Sequence, residues 1–348
     1  MTGKAIAAGA GVCLVLAAGA AVARDLPKTD ITVIGNLGIT TQSRQIEAPF
    51  WTKELPEASG GAISVNFKPW NELGLKGPEV FRILSRGQAL IATAQLGHHA
   101  GDAPINDGTD LAGLSPDMAT FRKVSEAFRP ALNDALNKKF GIEILTMQSF
   151  QSQILYCRSE IKGLADLKGK RIRTSGASQG DFVSYFGGSP VDMAFGEVQQ
   201  ALAQGTIDCA ITGTLGGYSA KWNEGARYLY TLPINYGAGV TAANIGGWKK
   251  LPDSVQTFIT TELAKANERM WQLNMDEDAM GIACNTTGPC PLGEPAGMTR
   301  VDPGPEDEAL RRKALVEAVL PKWAARCGAD CVADWNATVG KVVDMQIK

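Results

Sequence analysis

Leu164-Ala-Asp-Leu-Lys-Gly-Lys-Arg-Ile-Arg-Thr174, then Gly187-Gly-Ser-Pro-Val-Asp-Met-Ala-Phe-Gly-Glu-Val198 and Ala201-Leu-Ala-Gln-Gly-Thr-Ile-Asp208, is the stretch that decides the fold. Leu164 to Leu167 reads as a turn or short helix and Arg171 to Thr174 as a strand. Gln179 to Phe186 follows as a helix and Pro190 to Met193 as a strand; Glu197 to Gln204 is a helix halted by Gly205, and Ile207 to Thr212 a strand. Strands alternating with short helices imply parallel pairing under a cover of helices.

The same alternation runs outward. On the N-terminal side, Ile31–Gly35, Ile63–Phe67 and Ala89–Leu96 read as strands, separated by helices over Gln42–Leu55 (ended by Pro56) and Pro78–Arg86. Gly101–Asp117 is rich in Gly, Asp and Pro and predicts a loop; Thr120–Phe140 predicts a helix, Ile142–Met147 and Ile154–Arg158 strands. On the C-terminal side come strands over Tyr228–Pro233 and Val240–Ile245, a long helix from Asp253 to about Ala283, and helices over Glu306–Arg326 and Cys331–Met345. A chain of 348 residues exceeds what one core usually holds. Two α/β lobes with chain crossings between them are therefore expected, and such crossings create a hinge and a cleft.

The N-terminus carries Lys4 and then only small and apolar residues from Ala5 to Val22, closing on Ala21-Val22-Ala23. This is the pattern of a secretory signal peptide over 1–23, with cleavage near Ala23 and a periplasmic destination. Cys13 lies deep in the apolar stretch and does not resemble a lipoprotein attachment site. The charge is nearly balanced, 34 basic against 36 acidic residues, which offers no basic field for nucleic acid. Six cysteines follow the signal. Cys284–Cys290 and Cys327–Cys331 each span a turn-like loop and are favoured as local disulfides in an oxidising compartment; zinc held by those four is the rival reading. Cys157 and Cys209 are left as buried thiols or a third bridge.

The quoted stretch resembles the TRAP-type (tripartite ATP-independent periplasmic) substrate-binding proteins of the DctP/SiaP class, continuously over about fifty residues. Weaker agreement reaches Asn71-Glu-Leu-Gly74 and Gly247-Trp-Lys-Lys-Leu-Pro252. The resemblance implies a two-lobed periplasmic binding fold, with the long helix bridging both lobes. Lobe I is expected over 24–149 with 237–277 returning to it, and lobe II over 150–236 with the C-terminal helices 278–348. It implies a receptor that binds a small organic carboxylate and passes it to TRAP membrane subunits, with no cofactor.

In that family an arginine at the end of the equivalent strand pairs with the ligand carboxylate. The matching residue is Arg173, whose planar guanidinium suits a carboxylate. Phe195 falls where members place an aromatic against the ligand. Thr212 stands where sialate-binding members carry an asparagine, with Gly213 leaving room beside it, and Ser152 where they carry a further arginine. These departures point away from sialic acid, toward a smaller or more apolar acid. Thr41, Gln42 and Trp70 follow the first two strands at their C-terminal ends, where open α/β sheets bind ligands. Tyr218, Trp222 and Asn235 are further candidates. Arg171 has the same strand parity as Arg173 and could share its face, but lies nearer the strand start, away from the cleft; Glu197 and Asp208 read mainly as structural.

Gly176-Ala-Ser-Gln-Gly180 fits a nucleophile elbow and would make Ser178 a hydrolase serine, but no histidine follows His99 to serve it. The pair His98-His99 has no partner motif for metal and reads as loop or solvent histidines. A binding protein serving a different importer or a sensor would share the fold physics; genome neighbourhood separates it.

Overall fold

The structure, a computed structural model, describes residues 26–347; the expected signal peptide lies outside them. Strands are numbered along the chain as β1 (Thr29–Gly35), β2 (Ile63–Pro69), β3 (Ile91–Gln95), β4 (Ile142–Ser149), β5 (Gln153–Cys157), β6 (Arg171–Thr174), β7 (Ser189–Asp192), β8 (Cys209–Gly213), β9 (Tyr228–Asn235), β10 (Ala238–Asn244) and β11 (Thr299–Val301). They form two sheets. The first has the order β2-β1-β3-β10-β4 and the second β11-β9-β5-β8-β6-β7. Within each, the βαβ units pair in parallel, as in Val33 opposite Phe67 and Arg173 opposite Val191. The strands next to the crossings run antiparallel: β10 against β3 and β4, and β5 against β8 and β9. Those antiparallel insertions are the strands by which the chain enters and leaves each lobe, so alternation alone describes only part of each sheet.

Helix boundaries follow local chemistry. The long lobe I helix α1 (Met118–Phe140) starts where the Asp117 carboxylate accepts the Thr120 N–H at 2.7 Å and stops at Gly141, whose φ of 64° suits glycine. The helical segment 41–58 contains five-residue π-turns at Ser43–Glu47 and Phe50–Glu54 and runs on past Pro56 to Ala58. Gly101–Asp117 carries only a short 3₁₀ turn, Pro104–Asp107, yet most of it is buried.

The bridging helix α2 (Asp253–Asn285) has 33 residues, a span of about 50 Å. Its first half packs Val255, Phe258, Ile259 and Leu263 into the lobe I core with Trp51 and Trp248. Near its middle, the Trp271 indole N–H donates to Met147 O at 3.2 Å. Toward its end, Gly281 lies so close to lobe II that a Cβ there would meet the Thr214 carbonyl carbon at 2.5 Å.

The C-terminal helices, expected wholly on lobe II, pack on both lobes. The helix Asp307–Ala314 meets lobe II through the Leu164 N–H, which donates to Asp307 at 3.1 Å. The later helices lie on α1 and on the 101–117 loop: the Trp323 indole donates to Pro104 O at 2.7 Å and the Trp335 indole to Gly108 O at 2.9 Å. Buried indoles need acceptors, and this lobe I loop supplies them.

Three disulfides link the described cysteines: Cys284–Cys290, Cys327–Cys331 and Cys157–Cys209. The third joins directly opposed residues of β5 and β8, a pairing that only the strand register reveals.

Candidate functional site

The chain crosses between the sheets at 149–153 and again at 235–238. Both crossings are tied down by buried polar groups. The Asp278 carboxylate of α2 accepts from Ser152 N–H and Oγ at 2.7 and 2.8 Å, and Asn274 Nδ2 donates to Ser149 O at 2.8 Å. The Asp110 carboxylate accepts from Asn235 Nδ2, Tyr236 N and Gly237 N at 2.7, 2.9 and 2.6 Å.

Between the lobes, at the C-terminal ends of the strands, lies a cavity of about 60 Å³. Its lobe II wall holds Arg173 of β6 and Ser175 just after it, Phe195, and Thr212 and Gly213 of β8. Its lobe I wall holds Asn36 and Leu37 after β1, Trp70 after β2, Gln95 at the end of β3 and His98 in the turn that follows. Gly213 is a requirement of the space: a Cβ there would meet Gln151 Oε1 at 2.5 Å.

Arg173 is 3 % exposed. Its Nε donates to Met193 O at 3.1 Å and its Nη1 to Ile211 O at 2.9 Å, so the backbone of two neighbouring strands fixes the guanidinium. The Phe195 and Trp222 rings lie 6.0 and 5.9 Å from its Cζ. No carboxylate of the described residues pairs with it. Burial pulls its pKa down to about 10, with Asp192 acting in the opposite direction; at neutral pH the charge remains. Arg171, two residues earlier on the same strand, is exposed and engaged by Asp208 at 2.8 Å, in keeping with a structural role.

Of the residues singled out in the sequence, Arg173, Phe195, Thr212, Gly213 and Trp70 are brought together on the cavity wall. The others are not. Trp222 is fully buried beneath Phe195, with ring centroids 5.3 Å apart, and serves as floor. Gln42 donates to Asn274 of α2, and Thr41 is likewise buried. Asn235 accepts from Gln179 at 2.9 Å and belongs to the second crossing. Tyr218 turns outward and donates to Glu294 O at 2.9 Å. Ser152 faces α2. Ser178 is buried and its Oγ accepts the Ala112 N–H at 2.6 Å, which leaves no exposed nucleophile.

The sequence reading of the histidines is corrected. The 3₁₀ turn Leu96–His99 sends adjacent side chains in different directions. His99 is buried and stacks on Phe81 with ring centroids 3.8 Å apart, whereas His98 lines the cavity. Burial, reinforced by the Arg173 charge, lowers the His98 pKa to about 4, so its ring is neutral at physiological pH.

The sequence pattern of the bacterial extracellular solute-binding protein family 7 (DctP) matches residues 39–283, and the chain belongs to that family. It is accordingly a solute-binding receptor rather than an enzyme. The chain is similar to the 2,3-diketo-L-gulonate-binding periplasmic protein YiaO of Escherichia coli strain K12, 27% identical over 65% of this chain and 69% of that one. Among solved structures it resembles DctP7 of Bordetella pertussis, a receptor binding pyroglutamic acid, with a TM-score of 0.77 at 22% identity, covering 88% of this chain and 99% of that one. It also resembles a TRAP periplasmic solute binding protein of Sulfurospirillum deleyianum with bound succinate, with a TM-score of 0.76 at 22% identity over 90% and 99% of the two chains. These structural likenesses establish the two-lobed fold.

Proposed function

We propose that the chain is an exported receptor that captures a small organic carboxylate on Arg173 between its lobes and delivers it to TRAP membrane subunits. The observation that carries the reading is a buried guanidinium with no acidic partner among the described residues. A charge in that position is costly unless an anion completes it, and two of its nitrogens are already held so that the remainder points to one place. Phe195 and Trp70 supply apolar walls for a short carbon skeleton. Capture shifts an existing open–closed equilibrium toward the closed form, which is the form a transporter would distinguish. The relatives named above, receptors for sugar-acid and small-acid ligands, support this class. The signal-like residues 1–23 support export to the periplasm.

The test is calorimetric titration of the purified receptor with a panel of carboxylates, beside the Arg173→Ala variant. Binding in the parent and its loss in the variant are expected; equal affinity in both would reject the assignment. Co-expression with the TRAP membrane subunits and uptake of the labelled acid checks the delivery step.

A further inference from the structure

We infer that the cleft selects monocarboxylates whose other polar group is uncharged, and that His98 reads that second group. The inference rests on the receptor reading above and goes further by fixing the charge of the ligand.

The charge inventory of the wall is short. Among the lining residues Arg173 is the only cation, and none is acidic. One carboxylate is therefore matched. A second would be buried with no counter-charge, at a cost that hydrogen bonds alone do not offset. Nor is there a carboxylate on the wall to hold a bridging metal ion that might neutralise it.

The lobe I side offers instead a set of neutral hydrogen-bonding groups, Asn36, Gln95 and His98. His98 is the best placed. No described protein group hydrogen-bonds its ring, and the Nε2 edge, away from Gly77, is left for a guest. Gly77 backs it closely, since a Cβ there would lie 2.0 Å from His98 Nδ1; the absent side chain is what lets the ring occupy this position. The ring stays neutral because it is buried and shares the cavity with Arg173. A neutral imidazole has one donor and one acceptor, which suits a hydroxyl, a keto oxygen or a lactam amide, and does not suit a second anion. The succinate and pyroglutamate ligands of the structural relatives show that the shared fold does not decide between these classes.

The experiment is titration of the purified, ligand-free receptor with butanoate, 2-hydroxybutanoate, 2-oxobutanoate, succinate and pyroglutamate. We expect at least one of the hydroxy, oxo or lactam acids to bind about tenfold or more tighter than both butanoate and succinate. His98→Leu should weaken that ligand about tenfold and butanoate much less, and His98→Gln should recover part of the loss. His98→Lys, which adds a cation, should shift the preference toward succinate. If His98→Leu does not fold, the Gln and Lys variants carry the test alone. Succinate binding as tightly as the best monocarboxylate in the parent, or His98 variants that weaken butanoate and the polar acids alike, would overturn the inference and leave the receptor reading intact. Failure of every acid to bind the parent would overturn both.

Discussion

The wall built by β6 and β8 and the wall built by the turns after β1, β2 and β3 face each other across one cavity, yet they hold their side chains by different means. On the lobe II wall, Arg173 sits on a regular strand and is pinned by the carbonyls of Met193 and Ile211. On the lobe I wall, Trp70 and His98 stand on single 3₁₀ turns, and His98 is placed by the gap at Gly77 rather than by hydrogen bonds. One wall supplies a rigid charge, and the other a set of neutral groups on short turns. A shared anchor for carboxylates can then be kept while the opposite wall varies what else is read.

The largest effect should come from the rigid wall. Arg173→Ala removes the only cation, and affinity for any bound carboxylate should fall about 100-fold or more by calorimetry. The opposite wall should respond less. Gly77→Ala forces the His98 ring out of its place, and affinity for a hydroxy or oxo acid should fall about tenfold, with circular dichroism of the free receptor unchanged.

What the sequence disclosed follows the same division. Arg173, Phe195, Thr212 and Gly213 lie in the 164–213 run, and the resemblance of that run to the TRAP receptor family, set on regular strand and helix periods, is what points to them. Trp70 follows a strand end, whereas Asn36, Gln95 and His98 are not marked in the sequence; Gln95 closes β3, where nothing local says that it meets the cavity. Turns of three to four residues have no period to read, and nothing in the pair His98-His99 says which ring enters the core. Thr41 and Gln42 were read as cleft residues and are drawn instead to α2, whose buried Asn274 is visible only once the helix is laid across both lobes. The local disulfides were legible from spacing, whereas Cys157–Cys209 depends on the register of β5 against β8.

The buried loop 101–117 holds a carboxyl of a kind that neither wall carries. Burial pushes the Asp107 carboxyl up to about 7 from 3.8, against the pull of Arg326 and with Asp110 adding to the rise. The folded protein thus holds a proton there that the unfolded chain has already released. The stability from this group is fully present below about pH 4 and is lost as pH rises through about 7. Asp107→Asn removes the titration, so the melting temperature of the variant should rise relative to the parent between pH 5 and pH 8. A constant difference across that range would count against it.

The smallest effect is expected at the rim. Lys76 of lobe I and Glu197 of lobe II approach to 3.5 Å, both well exposed. Such pairs contribute little, and Lys76→Ala should change ligand affinity by about twofold at most, with the difference vanishing at high salt.

The long helix carries a mechanical consequence. It is gripped by lobe I at Trp271 and by lobe II at Gly281, only a few turns apart. A rod clamped at two points cannot swivel freely at either one, so parting of the lobes has to be taken up as flexure within that short stretch. The energy of that flexure is a restoring force, so the ease with which the lobes part is set partly by the stiffness of a stretch that does not line the cavity.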